Sequence, residues 1–177
     1  MIKPFESALV VIIPEAESLV ETFRRQVDPS AAADPPAHVT ILYPFKPPDE
    51  ITADVMADLR ELFLHLDGFS AILAETRQFP DTLYLAPQPA EPFRQLIEAA
   101  AKHFPETPPY GKAFTEIVPH LTVALVKDTQ RLDEIAAEFR EVARDKLPIH
   151  TRVNAVSLID NSSGHWQVRA QFSLGPD

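Results

Sequence analysis

Two short stretches of the chain repeat the same order of residue types. They read HVTI at 38–41 and HLTV at 120–123, each being His, apolar, Thr, apolar. Each lies in an apolar run typical of a strand, where alternate side chains share a face. One face would then carry His38 and Thr40 in the first stretch, and His120 and Thr122 in the second. An imidazole beside a hydroxyl can hold an anion and exchange a proton with it, so two such pairs could flank one phosphate.

The chemistry that these residue types favour is acid–base catalysis at a phosphodiester. Histidine titrates near pH ~6.5, so one imidazole can be neutral while another is protonated. A neutral imidazole can take a proton from water or a ribose hydroxyl, and a protonated one can give a proton to the leaving oxygen. Each role typically contributes ~10²–10⁴ in rate. Thr40 and Thr122 can donate hydrogen bonds to the non-bridging oxygens, where a comparable donor contributes roughly 2.7–4 kcal/mol in other enzymes.

A metal site is the rival use of two histidines. Zinc takes three or four ligands, usually His, Cys or carboxylate. The chain has no cysteine, and no Asp or Glu accompanies either pair at strand spacing. Threonine is a poor zinc ligand, so a metal-dependent hydrolase is the weaker hypothesis, and we expect neither a metal nor another cofactor.

Length and charge limit the possible partners. A chain of 177 residues predicts a single domain, 1–177. The net charge of −10 argues against binding along a long nucleic acid, but leaves room for a small nucleotide or a short RNA end. The apolar runs are too short to span a membrane, and the first residues do not resemble a signal peptide. We therefore expect a cytoplasmic protein, without a membrane partner, that is a monomer.

Apolar periodicity predicts the elements that would position the two pairs. Strands are predicted at 6–13, 38–45, 69–79, 82–86, 120–126, 149–159 and 166–174. Helices are predicted at 15–27, 51–66, 92–104 and 130–143, the second of them capped by Asp49.

The series of elements after each histidine–threonine strand is the same, which suggests a duplication. The repeat would cover 38–86 and 120–174. We therefore predict an α+β fold with two lobes, each an antiparallel sheet with helices outside, and a central cleft between the lobes. The alternative is one open sheet with the two histidines far apart.

Around these motifs, the sequence resembles the two-histidine (2H) phosphoesterases, which include 2′-5′ RNA ligase-like proteins and cyclic nucleotide phosphodiesterases. The resemblance rests on AHVTILYPF at 37–45, LYLAP at 83–87, PHLTVA at 119–124 and the late Trp166. It implies metal-independent hydrolysis of a phosphodiester, most often a 2′,3′-cyclic phosphate. By analogy with the family, His120 would be the base and His38 the acid, and the reverse assignment is the alternative.

Aromatic residues near the motifs are candidates for stacking on a nucleobase. Tyr43, Tyr84 and Trp166 could do so, although aromatic side chains more often pack in a core. The leading hypothesis is thus a 2H phosphodiesterase with a role in RNA processing. The alternative is a non-catalytic nucleotide- or RNA-binding module on the same fold, which would bind without turnover.

Overall fold

The structure is a computed structural model that describes residues 4–27, 35–112 and 116–176. Its strands are β1 Ser7–Ile12, β2 His38–Leu42, β3 Phe69–Phe79, β4 Thr82–Gln88, β5 Leu121–Leu125, β6 Ile149–Val153, β7 Ala155–Asp160 and β8 Gln167–Ser173. Its α-helices are α1 Glu17–Val27, α2 Ala53–Leu64, α3 Glu91–His103 and α4 Thr129–Ala143.

All the strands described join one antiparallel sheet in the order β6-β3-β4-β5-β2-β1-β7-β8. The two histidine–threonine strands, β2 and β5, are the central neighbours in that order. Four strands lie on each side of their junction, which gives the sheet two similar halves. The predicted α+β fold with antiparallel strands and outer helices is confirmed.

The two halves of the sheet exchange strands. The series strand–helix–strand–helix–strand begins at β1 and begins again at β4, one strand before each of the spans 38–86 and 120–174. In the first part of the chain, β3 follows β2 but pairs with β4. In the second part, β6 pairs with β3, and β7, which follows β6, pairs with β1. Each half of the sheet therefore contains strands from both parts of the chain, 7–79 and 82–173.

The helices pack on one face of the sheet and form the main core with it. Every second residue of the central strands contributes to this core, as Val39 and Leu121 do, both fully buried. Phe23 of α1 and Phe139 of α4 meet edge to face, with ring centres 5.1 Å apart. None of the helices in the described ranges is long and apolar enough to cross a membrane.

Two local predictions were wrong. The span 149–159 is not one strand, because inward-facing residues change phase at Asn154: Thr151 and Val153 are buried before it, and Val156 is buried after it. β6 consequently lies at one edge of the sheet and β7 in the other half. The second helix is capped not by Asp49 but by Thr52, whose hydroxyl accepts the Val55 N–H at 3.3 Å.

Candidate active site

The two histidine–threonine pairs lie side by side at the centre of the sheet. Val39 of β2 pairs with Leu121 of β5, and both side chains point into the core. The residues on either side of this pair therefore point to the opposite face, away from the helices. The antiparallel register places His38 across from Thr122 and His120 across from Thr40. All four side chains are half-buried.

Each imidazole is anchored in the same way. Nδ1 of His38 donates to the carbonyl of Pro36 at 2.7 Å, and Nδ1 of His120 donates to the carbonyl of Val118 at 2.8 Å. A carbonyl can only accept, so both Nδ1 atoms carry a proton and Nε2 is left for proton exchange. Prolines stiffen both approaches to the motifs, at Pro36 and Pro119, and so hold the accepting carbonyls in place.

Burial disfavours the charged form of both imidazoles. It is the main reason that the pKa of His38 is lowered, and Arg24 and His120 lower it further, against the opposing effects of the Pro36 carbonyl and Glu17. The pKa of His120 is lowered by burial, against the effect of the Val118 carbonyl. An anion bound between the pairs would favour the protonated forms. The site is therefore suited to take up a proton together with a phosphate.

The donor set does not match a metal centre. No group of three or more His, Asp or Glu residues in the described part of the chain is arranged to hold a metal ion. The two imidazoles have hydroxyls as neighbours instead of carboxylates, and a hydroxyl is a hydrogen-bond donor for phosphate oxygen rather than a usual zinc ligand.

Aromatic side chains form a wall beside His120. Tyr84 pairs with Thr122 across β4 and β5, so its ring lies on the same face as the site. Its ring stacks on Phe79, with centres 4.3 Å apart, and meets His120 at 5.6 Å. Phe79 also meets His120 edge to face at 5.3 Å. Tyr84 is only 5% exposed. Tyr84, a candidate for stacking on a nucleobase, therefore packs against the His120 imidazole and restricts the movement of that imidazole.

The other two stacking candidates lie beside the first motif. Tyr43 and Trp166 are in contact, with ring centres 6.5 Å apart, and both pack against a small apolar cluster on the site face. Val10 belongs to this cluster and pairs with Thr40. Both rings are half-buried. They are the more accessible of the three aromatic candidates.

Tyr110 is a site residue that the sequence reasoning missed. Its hydroxyl hydrogen-bonds with Thr40, and its ring meets Tyr43 at 6.3 Å. Its backbone N–H donates to the carbonyl of Tyr43 at 2.6 Å, which holds the backbone at Tyr110 against the end of β2. Tyr110 has φ 49°, a left-handed conformation that costs energy for a residue other than glycine. The signal available in the sequence was a Tyr-Gly pair after two prolines, just before the second motif.

The chain matches a known protein family and a bacterial protein over most of its length. The profile of the 2′-5′ RNA ligase superfamily matches residues 13–165. A Bacillus pumilus (strain SAFR-032) protein provisionally named a phosphoesterase is 25% identical over 174 residues, which cover 95% of this chain and 97% of that protein.

Solved structures share the fold. The crystal structure of TT0787 of Thermus thermophilus has a TM-score of 0.66 at 20% identity, covering 97% of this chain and 99% of that one. The structure of E. coli LigT complexed with NADP+ has a TM-score of 0.59 at 17% identity, covering 98% of this chain and 99% of that one.

Proposed function

The chain belongs to the 2′-5′ RNA ligase superfamily, and we therefore propose that it is a metal-independent phosphodiesterase acting on a 2′,3′-cyclic phosphate. The cyclic phosphate would belong to a small nucleotide or to the end of a short RNA. The observation that carries this proposal is the placement of two imidazoles and two hydroxyls on one face of neighbouring central strands. Acid–base catalysis at one phosphorus needs an acid and a base on the same side of the sheet, and this placement supports it.

The proposed reaction adds water to the phosphorus. Nε2 of the neutral imidazole takes a proton from the attacking water as the new P–O bond forms. The bond from phosphorus to one ribose oxygen breaks, and that oxygen takes the proton from Nε2 of the other imidazole. Following the family resemblance, His120 is the base and His38 the acid. The hydroxyls of Thr40 and Thr122 donate to the non-bridging oxygens, where negative charge increases.

Both Nδ1 anchors support this assignment of atoms. With Nδ1 bound to a backbone carbonyl, each ring presents Nε2 in a fixed tautomer. Fixed orientation of the reacting groups lowers the entropic part of the barrier. The aromatic rings beside the two motifs supply apolar surface for a base, with Tyr43 and Trp166 as the accessible pair.

The decisive experiment is hydrolysis of the four 2′,3′-cyclic nucleotides in the presence of EDTA. We expect turnover by the wild type and a loss of at least ~10²-fold in His38→Ala and in His120→Ala. His150→Ala is the matched control, because His150 is also a strand residue but is exposed and lies on the edge strand β6. This control should keep wild-type turnover.

Activity that survives both motif substitutions would rule out the two-histidine mechanism. Activity that EDTA abolishes would instead indicate a metal-dependent hydrolase. Nucleotide binding without turnover, with His→Ala changes that alter only affinity, would favour the binding module.

A further inference from the structure

The three residues before His38 are held by two charged side chains of α1. The guanidinium of Arg24 donates through Nη1 to the carbonyl of Pro35 at 2.7 Å. The backbone N–H of Ala37 donates to Oε2 of Glu17 at 2.5 Å. Arg24 and Glu17 also bind each other through Nη2 and Oε1. Between these two fixed points lies the carbonyl of Pro36, which anchors the His38 ring.

The ion pair is more buried than a surface pair on the same helix. The side chains of Arg24 and Glu17 are 16% and 35% exposed, and Nε of Arg24 is buried without a hydrogen-bond partner among the residues described. In the neighbouring Arg25–Glu21 pair the two side chains are 58% and 43% exposed. Burying charged groups costs energy and seldom adds net stability. The pair therefore adds little net stability, and its hydrogen bonds to Pro35 and Ala37 point to a positioning role.

The second histidine lacks this arrangement. Its anchor is the carbonyl of Val118, and no ion pair in the described ranges contacts the segment 116–119 before it. The rings of Phe79 and Tyr84 contact the His120 imidazole. The two motifs match in sequence, yet their surroundings differ in charge.

We propose that Glu17 and Arg24 are positioning residues that orient His38 for proton transfer and make it inequivalent to His120. They act through Pro35 and Ala37, which fix the Pro36 carbonyl and so fix the ring. The role rests on the proposed function, since it takes His38 to be a proton-transfer group. Neither Glu17 nor Arg24 needs to touch the substrate.

The same pair also acts on the protonation of His38 through charge. The charged and titratable groups that act on this imidazole are Arg24 and Glu17 from α1 and His120 from the neighbouring motif. Arg24 lowers the pKa of His38 and Glu17 raises it. Removing one member should therefore shift the titration in the opposite direction from removing the other. Such shifts follow from the two charges alone, so they test whether the pair acts on this imidazole, and Arg24→Lys tests whether the pair positions it.

The test is an NMR titration of the histidine side chains in the whole protein, combined with kcat/KM on a 2′,3′-cyclic nucleotide. In Arg24→Gln we expect the pKa of His38 to rise, and in Glu17→Gln we expect it to fall, while His120 stays as in the wild type. In both variants kcat/KM should fall roughly 10- to 100-fold, the range seen when metal-bound histidines of other proteins lose the groups that orient them. Arg25→Gln and Glu21→Gln are the matched controls and should match the wild type.

Arg24→Lys separates positioning from charge. It keeps the positive charge but lacks the fork that reaches both Pro35 and Glu17. We expect lower kcat/KM with a nearly unchanged titration of His38, and this variant decides the matter if Arg24→Gln fails to fold. The proposal is overturned if Arg24→Lys matches Arg25→Lys in kcat/KM, or if the Gln variants leave the tautomer and titration of His38 unchanged. The titration needs no turnover, so an inactive wild type would contradict the proposed function alone.

Discussion

At the scale of single residues, the site consists of two imidazoles held at Nδ1 and two hydroxyls across from them. The backbone bonds to Pro36 and Val118 hold both histidine rings in the same tautomer. Burial then favours the neutral form of each ring. In the proposed reaction, the free protein must carry one proton on this pair of imidazoles. Because burial lowers both pKa values, this singly protonated form is populated at acidic pH.

We expect kcat/KM to fall as the pH rises above about 6.5, the ordinary value for histidine. Burial lowers the pKa of both rings, so above this value neither keeps the proton that the acid must donate. In that range kcat/KM should fall about tenfold per pH unit, because it reports the protonation of the free enzyme. The measurement is kcat/KM between about pH 5 and pH 8. A profile that is flat, or that rises towards alkaline pH, would contradict this protonation scheme.

Tyr110→Phe should lower kcat/KM about 2- to 10-fold. The change removes the hydroxyl that bonds with Thr40 and keeps the ring, and a single net hydrogen bond contributes about 0.5–1.5 kcal/mol. The measurement is kcat/KM on a 2′,3′-cyclic nucleotide, with the wild type as reference. A kcat/KM equal to that of the wild type would mean that the Tyr110 hydroxyl has no part in aligning Thr40.

At the scale of the elements, each motif strand presents the site on one face and the core on the other. β2 and β5 lie at the middle of the sheet, so their inward residues are fully buried. Leu121 separates His120 from Thr122 and is 0% exposed, whereas Leu125, at the end of the same strand, is 58% exposed. Core packing at Leu121 therefore sets the direction in which His120 and Thr122 point.

Leu121→Ala should destabilise the protein by about 2–5 kcal/mol, because it leaves a cavity beneath the site. Leu125→Ala should change the free energy of unfolding by no more than about 0.5 kcal/mol, since the side chain is exposed. Urea denaturation of the two variants measures both values. Similar losses in the two variants would show that burial along β5 is not what stabilises the strand.

At the scale of the whole molecule, the two halves of the sheet share one core. The half β6-β3-β4-β5 comes from the continuous span 69–153, whereas the half β2-β1-β7-β8 joins strands from both ends of the described chain. Helix α1 packs on β5 and helix α3 packs on β2, so helices cross the junction in both directions. The junction between the halves is the pairing of β2 with β5, which is where the two motifs meet.

We therefore expect a single cooperative unfolding transition, even though chains longer than about 150 residues often depart from two-state behaviour. The chain has one tryptophan, Trp166, which packs beside β1 and β7 and so reports on one half of the sheet. Its fluorescence and the far-UV circular dichroism should change at the same urea concentration. Separate midpoints would show that the halves unfold independently.

Much of the fold could be predicted because its signals are local. Alternation of apolar residues located β3 at its observed bounds, and helical spacing located α4 to within a residue. The motifs were visible because they repeat, and alternation alone put each histidine on the same face as its threonine. These properties depend on neighbours a few residues away, which the sequence lists in order.

Partners that are distant in the chain were decided only by the tertiary structure. The pattern of residues 149–159 gave no sign that the two parts of this span pair with β3 and β1 in opposite halves of the sheet. The hydrogen bond between Tyr110 and Thr40 and the one between Arg24 and Pro35 form only in the folded chain. Local propensity cannot encode such contacts, because they form only when the apolar faces of strands and helices that are distant in the chain pack into one core. The sequence alone was enough to indicate two histidine–threonine pairs as candidate acid–base groups, and the folded chain determined which residues surround and orient them.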